Sequence, residues 1–345
     1  MEPQLPRRPP NEVFADARAF AVEDRARTVR ELVVTTLVFA LCLGLTVPSW
    51  PTAIRVVGGG VEGLVLVRLF IFLHDIEHQA IFVGSRWGKV VSRVVGFMTL
   101  VSPSVWREFH DAHHASTAML LDADLSQYRG GDRVNRVVDV DAFRGLSRTD
   151  RIKYGLVRHG AVFVFAWIAV FAIGIALGPF SRDPRRNADA LFVLVVHFGL
   201  LAGTVHVAGW ATAGFAFVLP LIIASTVGAY LFFAQHNFPT VVFQPRAVPW
   251  SAVDAALDGS SYFRMSAPMA WFTGNIGFHH VHHLHPRIPF YRLPDAMRAI
   301  PELHHPGETS FSPKDIAACL SLHVWDPTTS RLVGYDEAEA IAPRA

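Results

Sequence analysis

The 345-residue sequence predicts an all-α integral membrane protein, a helical bundle of two transmembrane hairpins under a cytoplasmic, histidine-rich helical cap. Three observations predict it. Apolar residues make up 51% of the chain and charged ones only 17%, where soluble domains carry about 25% charge. The apolar residues fall in blocks of spanning or near-spanning length, which suggests one embedded unit. The chain also holds 17 histidines but only two cysteines, Cys42 and Cys319, too few for a disulfide scaffold or a thiolate metal site. The net charge is +2 and the arginines are dispersed, so no nucleic-acid partner is expected.

The N-terminal segment, 1–31, has no apolar run behind its basic residues and reads as cytoplasmic rather than as a signal peptide. Residues 32–47 are uncharged, bounded by Arg27, Arg30 and Glu31 before and Pro48 after, and form the first span. Residues 54–73 form the second. They contain Arg55, Glu62 and Arg68, whose charges must face protein or water. The 74–158 region is polar, and its one apolar patch (94–105) is too short to span and belongs on the membrane surface. Three apolar blocks follow, at 160–178, 189–208 and 211–234. Arg182, Arg185 and Arg186 come after the first of these, while the turn at 208–211 has no basic residue. The positive-inside rule therefore makes 160–178 re-entrant or interfacial and the other two blocks the second hairpin. Both termini, the central loop and the C-terminal region then lie on the cytoplasmic side. The organisation is an N-terminal segment (1–31), a membrane domain (32–300) and a C-terminal tail (301–345).

Three histidine clusters stand out: His74-Asp-Ile-Glu-His78, His110-Asp-Ala-His113-His114 and His279-His280-Val-His282-His283. On a helix, positions i, i+3 and i+4 share a face, so each cluster can direct two or three imidazoles at one point. Chance gives HxxHH roughly 0.04 times in a chain of this composition, and it occurs twice, so the pattern reads as metal binding. Eight or more imidazoles exceed the three or four ligands of a zinc site and suit two ions with open positions. Imidazole alone does not choose among zinc, copper, iron and nickel. HDIEH is not the HExxH of a zinc protease, because its glutamate stands one position before the second histidine. A membrane metal carrier would place its ligands in broken spans at mid-membrane, whereas these clusters sit at span ends. His280 lies off the shared face and His285 beyond the box. His197 and His206, within a span, read as hydrogen-bonded packing residues.

The three boxes, in this order and separated by hairpins, resemble those of the membrane fatty acid desaturases. The stretch DGSSYFRMSAPMAWFTGNIGFHHVHHLHPRIPFYRLP is the most similar to bacterial acyl-lipid desaturases, and FFAQHNF supplies a further histidine, His236, after the last span. The resemblance implies two iron ions ligated by His74, His78, His110, His113, His114, His236, His279, His282 and His283. It implies O2 as co-substrate, a lipid-linked acyl chain as substrate, and a site on the cytoplasmic face of a bacterial inner membrane. One departure is that Glu77 stands where the family's first box more often has glycine. Neutral imidazoles leave metal charge uncompensated, so Asp75 and Asp111, with Glu108, are candidates to orient ring N–H groups. His305-Pro-Gly307 lacks the second glycine of a haem-binding HPGG motif, so electrons must come from an external donor, ferredoxin-like or cytochrome b5-like. The same boxes serve a lipid hydroxylase or ketolase, which remains the alternative.

Overall fold

A computed structural model describes residues 8–120, 136–245 and 251–341. After a short α1 (Pro10–Arg18), α2 (Arg25–Gly44) and α3 (Thr52–Glu77) make the first hairpin. The Asp24 side chain caps α2 by accepting the Arg27 N–H at 2.9 Å. Pro48 and Pro51 occupy the turn, where missing N–H groups and fixed φ stop one helix before the other begins. α4 (Arg86–Thr99) and α5 (Pro103–His114) follow, then α6 (Val140–Gly145), α7 (Arg148–Arg158) and α8 (Ala161–Val164). A π-helix, Trp167–Leu177, runs into α9 (Gly178–Arg182), and α10 (Ala188–Ala213) and α11 (Leu219–Ala234) complete the apolar part.

Among the described residues, two helical stretches are long and apolar enough to cross a bilayer, Thr52–Glu77 and Ala188–Ala234. The second is bent back on itself. Gly209 has φ +78°, which breaks the helix, and the His197 and Phe217 rings on either side of the break lie 5.0 Å apart. α2 is helical over 20 residues, but Arg25, Arg27, Arg30 and Glu31 occupy its first two turns.

Small residues let α3 approach α11 closely. A Cβ on Gly63 would stand 2.8 Å from Ile223 Cβ, and one on Gly59 would collide with the Phe215 carbonyl oxygen. The three charges within the 54–73 span all face protein. Arg68 pairs with Glu31 at 2.7 Å and lies over the Trp271 ring. Arg55 donates to the Thr46 carbonyl at 2.8 Å, and Glu62 is 2% exposed.

The bundle has two distinct ends. The turn before α3 meets the Gly209 region at one end, where Arg55 reaches Thr212 at 3.4 Å. The histidine boxes and His236 lie at the other. The 160–178 segment enters and leaves at the histidine end. Phe163 packs 5.1 Å from Phe233, Trp167 reaches inward to donate to His197 Nε2 at 3.1 Å, and Ile175 and Ala176 return to pack with Trp106 and Ala190. Just beyond, Arg186 pairs with Glu108 of α5 at 2.8 Å. The 94–105 patch becomes the end of α4 and its turn into α5; Trp87, Val90 and Val94 leave an exposed apolar stripe on α4.

After α12 (Ala252–Gly259), strand β1 (Ser261–Arg264) precedes α13 (Ala267–Phe272) and α14 (His279–Leu284). β1 pairs in parallel with β2 (Gly307–Ser310), Ser261 opposite Gly307. β3 (Val324–Asp326) and β4 (Arg331–Val333) form an antiparallel pair. Beyond residue 300 the chain is therefore folded onto the rest. Val324 and Val333 share a core with Val138, Phe143 and Tyr154.

Candidate metal centre

Each histidine box sits on a helix end whose local sequence fixes it. α3 stops at His78 because Gln79 turns left-handed at φ +57°. The Ala80 N–H then reaches back to Asp75 O at 2.8 Å and the Gln79 N–H to Ile76 O at 3.0 Å, closing the helix in a Schellman motif. Ser102 caps α5 from its side chain, with Pro103 in the first turn. Its HDAHH then presents three imidazoles one turn from the end. α14 follows Asn275, held left-handed at φ +55°, whose side-chain amide donates to Phe290 O at 3.3 Å.

The four stretches converge. His113, His236, His279 and His283 form one group and His74, His78, His110 and His282 another, each with one nitrogen per residue within 4.8 Å of the rest. In the first group the Nε2 atoms form a closed ring with edges of 3.1, 2.8, 3.1 and 3.3 Å. The centre of such a ring lies within roughly 2.2 Å of every corner, close to a metal–imidazole bond length. In the second group His74 and His110 approach to 3.0 Å. His114 belongs to neither set of four but joins the second, at 3.2 Å from His110 and 3.1 Å from His282.

Whether a cation fits is decided by the far side of each ring. His74 Nδ1 lies 2.9 Å from Asp75 Oδ1, and the other Asp75 oxygen accepts the Phe290 N–H at 2.7 Å. His236 Nδ1 donates to the Gly259 carbonyl at 2.9 Å. Thr117, its hydroxyl given to His113 O, offers its oxygen to His283 Nδ1 at 3.4 Å. With Nδ1 carrying the proton in these rings, the Nε2 lone pairs of His74, His236 and His283 face the Nε2 atoms of His110, His113 and His279, a convergence of ring nitrogens that a shared cation would satisfy. His78 Nε2 is buried with no partner. Burial first, and repulsion from neighbouring imidazoles second, hold His78, His110, His114, His279, His282 and His283 well below the usual imidazole range. That direction favours the neutral imidazole, the form that ligates.

Other residues lie elsewhere. Asp111 is exposed, and its carboxylate faces Arg107 and Glu77. Glu108 is taken by Arg186, and Glu77 by Arg107 and by the Ser92 hydroxyl at 2.6 Å. Of the acids, Asp75 is the one hydrogen-bonded to a clustered imidazole among the described residues. His280 Nε2 donates to Leu303 O at 3.2 Å, and the His285 ring lies tilted 4.8 Å from that of Phe14. His197 donates from Nδ1 to Phe97 O at 2.7 Å and accepts from Trp167. Sequence reasoning missed Thr117 and the Gly259 carbonyl. Thr117 is one turn beyond His113 and was open to the same helical argument; a carbonyl has no side-chain signature at all.

An apolar cavity of about 460 Å³ reaches the imidazoles, within the range of small-molecule pockets. His110 and His113 line its inner end, where Trp106 stacks on His110 and Phe232 packs 4.7 Å from His113. Leu66, Phe70 and Leu221 line its depth, and among the described residues no Asp, Glu, Lys or Arg lines it.

Comparison with known proteins agrees with this geometry. The family model described as fatty acid desaturase matches residues 48–313. A fatty acid desaturase of Bacillus subtilis (strain 168) is 28% identical over 273 residues, covering 78% of this chain and 74% of the relative. An sn-1 oleoyl-lipid 12-desaturase of Synechocystis is 24% identical, over 67% of this chain and 64% of the relative. An sn-1 acyl-lipid omega-3 desaturase (ferredoxin) of Nostoc is 23% identical, over 79% and 75%. The match spans every histidine of the two groups, and this chain belongs to the fatty acid desaturase family.

Proposed function

We propose that the protein is a membrane acyl-lipid desaturase, which removes two hydrogens from a lipid-linked acyl chain at a histidine-ligated di-iron centre. The observation that carries this reading is the junction of two imidazole groups with a long uncharged cavity. Bound among His74, His78, His110, His113, His114, His236, His279, His282 and His283, two iron ions and dioxygen supply an oxidant strong enough for an alkyl C–H bond.

The chain's own residues do the rest. The cavity holds an acyl chain extended and dry, and His110 and His113 bring its methylenes beside the metals. Asp75, the Gly259 carbonyl and Thr117 fix ring tautomers so that Nε2 faces inward. The balance is that two C–H bonds give up two electrons and two protons, an external donor gives two electrons, and two further protons complete two waters from O2. The donor is a separate protein, ferredoxin-like or cytochrome b5-like; the Nostoc relative's name, which includes ferredoxin, supports this.

The two bundle ends support a topology in which the hairpins cross a bacterial inner membrane and the histidine end faces the cytoplasm. Arg182, Arg185 and Arg186 lie on that side. Expression in a host with saturated lipids, followed by gas chromatography of its fatty acids, should show a new double bond. Chains that gain an oxygen atom without losing hydrogens would instead establish a hydroxylase.

A further inference from the structure

The cavity has a mouth, and the mouth is apolar. Leu156 and Val157, on α7, line the cavity although they are 60% and 63% exposed. Next to them on the outer surface Val164, Phe165 and Ile168 are 53%, 66% and 43% exposed, so the lip continues into an outward apolar strip. One turn back on α7, Ile152 is 55% exposed but lies outside the cavity lining. The wall beside the mouth is a single layer, the π-helix Trp167–Leu177. Val170, Phe171 and Gly174 face the cavity, and Ile173 and Leu177 are exposed. A π-helix of 11 residues is rare, since π turns are usually isolated bulges at functional sites.

We infer that the acyl chain enters sideways from the bilayer, through a portal between α7 and the π-helix, so that the substrate is a chain still attached to a membrane glycerolipid. This rests on the proposed membrane reading and goes beyond it. A water-soluble thioester carrier must thread its chain from solvent past polar groups that hold the carrier. Among the described residues the lip presents aliphatic and aromatic side chains, and a patch of that kind belongs against lipid. The headgroup stays at the surface, where Arg148 and Lys153 stand exposed around the same helix, Lys153 within 3.2 Å of Asp150. Cations at that depth suit a lipid phosphate.

The test reads entry rather than chemistry. Full-length protein in phosphatidylcholine vesicles is irradiated with a phosphatidylcholine carrying a diazirine on one palmitoyl chain, and labelled residues are mapped by mass spectrometry. Label is expected on residues 156, 157 and 162–175. Leu156→Trp and Val157→Trp should each cut cavity labelling about tenfold by filling the mouth, while Ile152→Trp leaves it unchanged. Undiminished cavity labelling in both mouth variants overturns the portal. So does cavity labelling by a soluble palmitoyl thioester probe that the phospholipid probe fails to give. If the tryptophan variants do not assemble, Val157→Cys is folded first and then capped. Octyl methanethiosulfonate should block labelling and methyl methanethiosulfonate should not; equal labelling after both caps rejects the portal. A labelled cavity in a protein whose only product is hydroxylated leaves the portal standing and removes the desaturase reading, so the two failures are distinguishable.

Discussion

His280 and His282 stand two positions apart on a six-residue helix and have different partners. His282 turns to His114 at 3.1 Å, and His280 gives its Nε2 proton to Leu303 O at 3.2 Å. His282→Ala, like His113→Ala and His283→Ala, should abolish iron loading and turnover without unfolding the protein. His280→Ala should load iron normally but cost about 2–4 kcal/mol of stability, through the cavity it opens and the Leu303 carbonyl it leaves unpaired. Equal iron loss in both would show that the assignment of faces is wrong, and metal analysis beside a thermal melt measures it. Two aspartates make a second contrast. Asp75 touches His74, whereas Asp111 faces Arg107 and solvent. Asp75→Asn should weaken iron affinity roughly 10–100-fold, as loss of an outer partner usually does. Asp111→Asn should leave it unchanged in the same titration.

At the scale of elements, the close approach of α3 to α11 and to the Phe215 turn that precedes it depends on two glycines. Gly59→Leu and Gly63→Leu force side chains into a backbone oxygen and into Ile223. Each should cost about 1–3 kcal/mol of stability and lower the yield of folded protein in detergent, while Gly60→Leu, with only Ile223 Cδ1 within 4 Å, should be tolerated. The β3–β4 unit carries a pH dependence. Burial, with Arg158 facing it, lowers His323 to about 4, and its ring stacks 3.9 Å from Tyr335. An unfolded imidazole has a pKa near 6.5. Between 6.5 and about 4 the unfolded state therefore binds a proton that the folded state refuses, and stability falls as the pH is lowered through that window. Protection factors of amides across 322–341, corrected for the slower intrinsic exchange at low pH, should be smaller at pH 5 than at pH 7.5. His323→Phe should remove that part of the response.

For the molecule as a whole, nine imidazoles from four stretches meet only because both hairpins return the chain to one end. Purified active protein should hold two irons per chain, and stoichiometric zinc with no iron would falsify the proposed centre. Sidedness follows from the same geometry, because residue 181 lies at the histidine end and the Gly209 break at the other. Cys42 and Cys319 are both buried, so introduced cysteines report alone. Ser181→Cys should react with an impermeant maleimide only after the cytoplasmic face is opened. Gly209 is left-handed and intolerant of a side chain, so Val207→Cys, at a position 85% exposed, is the probe for the outer face and should react in intact cells. Labelling of position 181 in intact cells would place an odd number of crossings before it.

The composition, the apolar blocks and the spacing of the boxes were enough to indicate helical hairpins and to single out which histidines could share a face. Such information is local: a period of 3.6 residues, a proline turn and a histidine at i+4 are written along the chain. Where the carboxylates went was not local. Asp75, Glu77, Glu108 and Asp111 all lie near histidine boxes, but Ser92 and Arg107 claim Glu77, Arg186 claims Glu108, and Asp111 is exposed one turn from Arg107 on its own helix, which leaves Asp75 beside His74. The partners of His236 and His283, a carbonyl at Gly259 and the hydroxyl of Thr117, were likewise fixed by packing. The cavity is the clearest case. Its walls come from six separate stretches, each apolar for reasons a single helix cannot distinguish from ordinary core. Only their assembly leaves space, because a void is a property of the gap between elements and of no residue within them.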